Sequence, residues 1–416
     1  MTRDWKNIRN LLARSANKYP YYFGTYTYEE FSKSKIATRI PYAHVGWGKR
    51  AVEMRANKTH FDGFENDTLG LNALFEKYRV FEALDKVKED VLVAGCGFLA
   101  LAGDSVMPFT AQEATGTFDW REQNLKDGIA VFREDTARRF ENVAIPDSYI
   151  EFTPEKTVAV EQGNQTVVLN TVNRPLMGLL THKATTKRPF GRSVLDRPAR
   201  DAILDASRTG RQAMIAAYHY NVKVDLILGA DSNTPVDAIE AQTGDVLKIG
   251  TNENGQIPQI GEFAQHAMTP FSDTILIAAR NFCSATKLSL ANLGISSNAP
   301  QSTEALEIVS DDLKDDIMEW QRELGRQLKY FGVTLWMNEN NVRELDDNLR
   351  QRINETIPVW LSVYREDVSR FGDGLNKIAQ DAPAIVEARS IWRNLGLNSS
   401  EIDKVIESAR NQQNAL

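Results

Sequence analysis

The sequence predicts an α+β protein, and three observations predict it. First, apolar residues recur at Leu306, Val309, Leu313, Ile317, Trp320, Leu324, Leu328 and Phe331, in steps of three or four. That spacing lines one face of a long α-helix. Second, short apolar runs alternate with turn residues between Ile129 and Leu169, the pattern of β-strands. Third, the period switches after Tyr220, where Val222, Val224, Leu226 and Leu228 alternate with Lys223 and Asp225. A helical block, a sheet block and a helical tail in one chain are an α+β arrangement.

Taken in order, residues 3–18 read as a short amphipathic helix with Trp5, Ile8, Leu11 and Leu12 on one side. Tyr19 to Arg50 is aromatic and polar without a period, and reads as an extended arm. After Asp67-Thr68 the residues Leu71, Leu74, Phe75, Tyr78, Phe81, Leu84 and Val87 predict one strong helix. Val91 to Leu101 reads as a buried strand or pair of strands, and 111–127 as a short helix or turn segment. Thr157–Val160 and Thr166–Leu169, joined through Gly163-Asn164, predict a hairpin.

From Asp196 to Tyr220 the pattern is helical again, with Pro198 tolerable in the first turn. Thr269-Pro270 starts the next helix, which Ile275, Leu276, Ala279, Phe282 and Cys283 carry to about Leu288. The stretch Ala291 to Gln301 is small and polar. It reads either as a connector or as a mobile contact element. Ser302 and Thr303 are caps for the long helix, with Glu304 and Glu307 in its first turn. No proline interrupts it before Trp336, and it runs about 45 Å. Gly325, inside the pattern, costs about 1 kcal/mol. Beyond Asn338 the residues Leu345, Leu349, Ile353, Ile357 and Leu361 step by four and predict further helix. Two more helices follow near 384–395 and 400–410.

The composition bounds the chemistry. The 416 residues suffice for two or three domains. With 42% hydrophobic and 25% charged residues the chain is a folded soluble protein. A net charge of −7 gives no global case for gripping nucleic acid. Two cysteines, Cys96 and Cys283, exclude a disulfide framework, and no metal-ligand spacing appears among five histidines. Met-Thr-Arg-Asp-Trp is not a signal peptide, and the most apolar run, Val91 to Ala102, is too short to span a bilayer. No cofactor and no membrane are expected.

Candidate sites are few. Gly95-Cys96-Gly97 suggests a reactive cysteine, or glycines that let a β segment pack closely; the third glycine of a dinucleotide fingerprint is missing. The long helix carries Asp311, Asp312, Asp315, Asp316, Glu319 and Glu323 on its other face. That is a solvated acidic face, or a pair of carboxylates for a divalent ion. Residues 183–211 are basic. Arg197, Arg200, Arg208 and Arg211 either approach nucleic acid or an acidic partner, or pair with Asp201 and Asp205 at helical spacing.

Four segments carry a resemblance to a known family. They are Arg188-Pro-Phe-Gly-Arg-Ser-Val194; Asp205-Ala-Ser-Arg-Thr209 running into Leu226-Ile-Leu-Gly-Ala-Asp231; Ser302-Thr-Glu-Ala-Leu306; and Ile391-Trp-Arg-Asn-Leu-Gly-Leu397 before Glu401-Ile402. In this order, over roughly residues 60–405, they resemble the portal proteins of long-tailed double-stranded-DNA bacteriophages. The resemblance implies a wing with an N-terminal arm over 1–189, a first stem helix over 190–221 and a small β clip over 222–258. It implies a second stem helix over 259–288, a tunnel loop over 289–301, a long wing helix over 302–337 and a helical crown over 338–416. It implies a non-enzymatic ring, twelve-fold at one capsid vertex of the virion and assembled in the host cytoplasm. Double-stranded DNA would pass through it during packaging and ejection. The partners implied are the terminase large subunit, a head-completion adaptor, and the major capsid and scaffolding proteins. Asn292, Gly294, Ser296, Ser297 and Asn298 would form the tunnel loop at the channel, and Arg197, Arg200, Arg208 and Arg211 the basic stem residues. The alternatives are an unrelated helical scaffold or assembly protein, and an enzyme using Cys96 or the acidic helix face.

Overall fold

The computed structural model describes residues 8, 11–27, 43–132, 148–161, 164–220, 225–228, 259–262, 267–295, 303–363 and 388–413. Residues 8 and 11–13 are helical, within the helix expected over 3–18. Two helices, α1 (Tyr19–Phe23) and α2 (Trp47–Ala56), stand where an extended arm was expected, of which residues 28–42 lie outside the described residues. Pro20 at the first turn of α1 and the left-handed Gly24 at its end supply the start and stop. The strand β1 (Phe61–Glu65) follows.

The single helix expected over 71–87 is two, α3 (Leu71–Lys77) and α4 (Val80–Ala94). The chain breaks at Arg79, whose φ is +55°. The Tyr78 carbonyl takes the N–H of Val106 instead of continuing the helix. Val91–Ala94, expected as strand, closes α4. Gly95 ends it with φ +102°, and a Cβ there would sit 3.0 Å from the Arg192 carbonyl carbon.

Strands β2 (Cys96–Ala102) and β3 (Ser105–Thr110) form a hairpin. Next come β4 (Ala114–Asp119) and β5 (Asn124–Val131), where 111–127 was expected to be helix or turn. They begin a meander with β6 (Ser148–Phe152), β7 (Lys156–Glu161) and β8 (Asn164–Leu169), in the order β4-β5-β6-β7-β8. The expected hairpin is β7–β8, in the register Thr157↔Val168 and Val160↔Gln165. Strand β9 (Met177–Thr181) completes a second sheet, β3-β2-β9, with β2 in the centre. Being central, β2 is buried on both faces, which is why its sequence is a continuous apolar run.

Helix α5 (Arg197–Tyr220), strands β10 (Asp225–Leu228) and β11 (Gln259–Glu262) and helix α6 (Thr269–Thr286) come next. Residues 259–262, expected within the second helix, are strand, paired antiparallel with β10. The helix starts at the Thr269-Pro270 signal. Of the expected clip over 222–258, only β10 lies among the described residues.

The expected long helix is α7 (Thr303–Glu339), 37 residues. Leu313, Ile317, Trp320, Leu324, Leu328 and Phe331 are each 1% exposed or less, so the predicted face is the buried one. Each such side chain contributes about 1.5–3 kcal/mol on burial. This face lies against β9 and α3.

The run of fours after Asn338 is only partly helical. Helix α8 (Asp347–Glu355) is capped by Asp346, whose Oδ1 accepts the Leu349 N–H at 2.7 Å. The chain then turns extended into β12 (Ile357–Trp360), because Pro358 cannot continue a helix. Strand β12 pairs with β1, Phe64 opposite Pro358. A final pair, α9 (Arg389–Asn394) and α10 (Ser399–Gln413), docks on β1. Arg389 and Arg393 both reach Glu65, at 3.0 and 2.5 Å, and Ser399 N–H donates to Asp62 at 2.8 Å. Among the described residues no helix is long and apolar enough to cross a membrane.

Candidate functional site

Helices α5 and α6 pack against each other, and the antiparallel pair β10–β11 lies between them in the chain. Asp196 starts α5, its Oδ1 accepting the Ala199 N–H at 3.2 Å. The near half of α5 is rooted in the body through the buried Ala199, Ala202, Ile203 and Ala206. Ser207 is 2.7 Å from the Tyr26 hydroxyl. The near half of α6 is rooted through Ala278, Ala279 and Phe282, whose ring lies 5.6 Å from that of Trp47. Away from these roots Met214 of α5, Ile277 of α6 and Met268 just before α6 are exposed.

The four arginines singled out on α5 do not share one surface. Arg197 is exposed and sits 3.7 Å from Asp201 one turn on. Arg208 lies 3.8 Å from Asp205. Arg200 stands over the Tyr21 ring, 5.7 Å from its centroid, and donates to the Asp196 carbonyl. Arg211 is only 4% exposed. The helical-spacing pairs are therefore present for Arg197 and Arg208, while Arg211 is buried.

The connector after α6 is folded in its first part. Lys287 caps the helix in the left-handed region, φ +55°, and the buried Leu288 donates back to Cys283 at 3.2 Å. A 3₁₀ turn over Ala291–Leu293 ends at Gly294, φ +77°. The Asn292 carbonyl accepts from Arg50 Nε of α2 at 3.0 Å. Of the five loop residues expected, Asn292 is half-buried in this turn and Gly294 is exposed. Ser296, Ser297 and Asn298 lie outside the described residues.

One charged centre joins these elements. Asp316 of α7, 1% exposed by its side chain, receives Arg55 of α2 through Nη2 at 3.0 Å and Nε at 3.2 Å. The Lys287 ammonium is 3.0 Å away, and that of Lys183 also contacts the carboxylate. The same Arg55 donates to the Thr286 carbonyl at the end of α6 at 2.5 Å. Burial alone would raise the Asp316 pKa, but the three cations hold it well below the usual carboxylate range.

Further along α7, Trp320 Nε1 donates to the Thr181 carbonyl at 3.1 Å. Glu323 accepts from Lys183 N and Ala184 N at 2.9 and 3.0 Å. Gln327 Oε1 accepts from Thr181 N at 2.9 Å. Asp316, Trp320, Glu323 and Gln327 thus form one stripe, in steps of four, three and four, that grips the turn after β9. The acidic face was expected to be solvated. Asp312, Asp315 and Glu319 are exposed, but Asp316 and Glu323 point inward. Their partners Arg55, Lys183 and Ala184 lie more than a hundred residues away, so no local pattern marks them.

His182 is buried beside this centre. Its Nδ1 lies 2.8 Å from the Arg192 carbonyl, and its ring meets Trp320 edge-on at 5.8 Å. Burial lowers its pKa to about 4. Cys96 sits in central β2, where burial pushes the thiol up to about 12. It is protonated at neutral pH, so the glycines around it serve close packing: a Cβ on Gly97 would lie 2.7 Å from Val87. Among the described residues no group of three His, Cys, Asp or Glu side chains is placed to hold a metal ion.

No family model and no curated protein matches the sequence. Among solved structures the chain is similar to a neck of a native GTA particle computed with C12 symmetry. The identity is 12% over 89% of this chain and 89% of that chain, with a TM-score of 0.48. It is also similar to a neck of an empty GTA particle computed with C6 symmetry, at 13% identity over 82% and 93%, TM-score 0.41. A third is the virion of a native gene transfer agent (GTA) particle, at 14% identity over 80% and 97%, TM-score 0.36.

Proposed function

We propose that this chain is a portal-type, head–tail connector subunit of a phage-like particle. It is a non-enzymatic wedge that closes with identical copies into a ring, twelve-fold, around a DNA channel at one vertex of the virion. The observation that carries the reading is the order and rooting of the parts. A helical pair with a small β tip runs into a connector and then into a 37-residue helix against which the sheet domain packs. That order supports the succession of stem, clip, stem, tunnel loop and wing helix that the four resembling segments imply.

Physical chemistry supports it. Where a helical pair extends beyond the body it cannot bury every apolar side chain by itself. The exposed Met214 of α5, Ile277 of α6 and Met268 just before α6 suit burial against a neighbouring copy. A net charge of −7 suits a channel that DNA must slide through, because each phosphate neutralised adds affinity and slows passage. In this reading the β tip meets the terminase large subunit during packaging and a head-completion adaptor afterwards. The sheet domain and the C-terminal helices face the capsid and scaffolding proteins. The connector from Asn292 to Asn298 lies at the narrowest point.

Deletion of 296–301 tests the last assignment. Rings should still form while packaging stops; a deletion variant that packages normally removes the loop from the channel.

A further inference from the structure

We propose that Asp316 is a positioning residue: it ties the end of α6 and the folded segment 288–295 to the long helix, so that these three parts move as one body. The consequence for a tunnel loop rests on the portal reading; the tie itself does not.

The argument is geometric. Four groups from three separate places converge on one buried carboxylate. They are Arg55 Nε and Nη2 from α2, the Lys183 ammonium from the turn after β9, and the Lys287 ammonium from the cap of α6. Arg55 adds a bond to the Thr286 carbonyl, so the last turn of α6 is held through its backbone and its cap side chain together. At the other end of α6, Met268 just before the helix and Ile277 in its middle are exposed. The segment beyond the cap is then fastened by the buried Leu288 and by Arg50 on the Asn292 carbonyl. Both anchors, Arg50 and Arg55, come from α2, five residues apart. A pull on the chain beyond residue 295 therefore reaches α2 and α7 before it can bend α6. With Asp316 neutral, the same cations repel one another at the root of the segment, and the tie opens.

Hydrogen exchange on the full-length subunit tests this. The reporters are the amides of Leu288, Asn292, Leu293, Gly294 and Ile295, each bonded locally. In Asp316→Asn these amides should exchange at least ten-fold faster than in the parent, while the amides of β2 and β7 stay within two-fold. Lys287→Met should loosen the same amides, and Lys183→Met should leave them within two-fold. The two lysine variants keep the test alive where Asp316→Asn does not fold. Equal acceleration across the whole chain, no change at 288–295, or identical behaviour of the two lysine variants would each overturn the proposal. Exchange is read on the subunit whether or not it assembles, so this outcome is independent of the ring.

Discussion

Replacing Gly325 by alanine should destabilise the protein, the reverse of what helix propensity alone predicts. In an exposed helix interior, Gly→Ala gains about 1 kcal/mol. Here an added Cβ would lie 2.9 Å from Pro358 Cγ, 3.0 Å from its Cβ and 3.2 Å from Trp360 Nε1. A proline ring cannot swing aside. Pro358 is opposite Phe64 and Trp360 opposite Phe61 in the β1–β12 ladder, and the Trp360 and Phe61 rings lie 4.9 Å apart. Displacing β12 therefore displaces β1. Overpacking of this kind costs about 1–3 kcal/mol, so the net effect is a loss of about 1 kcal/mol. Urea unfolding followed by circular dichroism would read it as a lower midpoint at unchanged slope. Combining Gly325→Ala with Pro358→Gly should recover part of the loss, a coupling of about 0.5 kcal/mol or more. An alanine variant more stable than the parent, or strict additivity in the double variant, would refute the reasoning.

Three further outcomes are expected. Leu324→Ala, at a fully buried site on the strut, should cost about 2–5 kcal/mol in the same urea assay; a cost below about 1 would mean the face is not packed as described. His182 takes up its proton at about 4 in the folded state and near 6.5 when unfolded. Stability is therefore whole above pH 6.5 and falls toward pH 4 at roughly 1.4 kcal/mol per pH unit, about 3 kcal/mol in all. His182→Asn should lack that part of the decline, and an unaltered pH profile in the variant would contradict it. Cys96, with its thiol near 12, should resist iodoacetamide in the native protein at pH 7.5 and react only on unfolding; rapid native alkylation, read by mass, would reopen the case for a reactive thiol.

The strut was legible because its signal is periodic and strong. Leu313 to Phe331 repeat at helical spacing without a proline, and the same residues are buried. The starts of α5 and α6 were legible from Asp196-Arg-Pro, a cap with a first-turn proline, and from Thr269-Pro270, where the proline falls in the first turn but Thr269 is already helical and Met268 holds the cap position without a side-chain bond. What sequence periodicity missed has local causes. The break at Tyr78–Arg79 has no glycine or proline to mark it; it exists because β3 takes the Tyr78 carbonyl. The strand after Glu355 continues a step-of-four pattern, and only Pro358 betrays the change. Strands β4 and β5 carry Asp, Gly and Asn residues that lower strand propensity, and tertiary pairing overrides them. The charged centre was the least legible. Asp316 looks like its exposed neighbours Asp312 and Asp315 until Arg55, Lys183 and Lys287 are brought to it by the fold. The one local signal is that Asp316 precedes Trp320 by four, on the edge of the apolar stripe.

The most direct measurement is an electron-microscopy class average of the purified full-length protein, viewed down the symmetry axis, with native mass on the same sample. A closed ring of identical subunits around an open centre, with Met214 and Ile277 becoming protected from surface labelling on assembly, is the predicted result. A stable single subunit at every concentration, or an open filament, would contradict it.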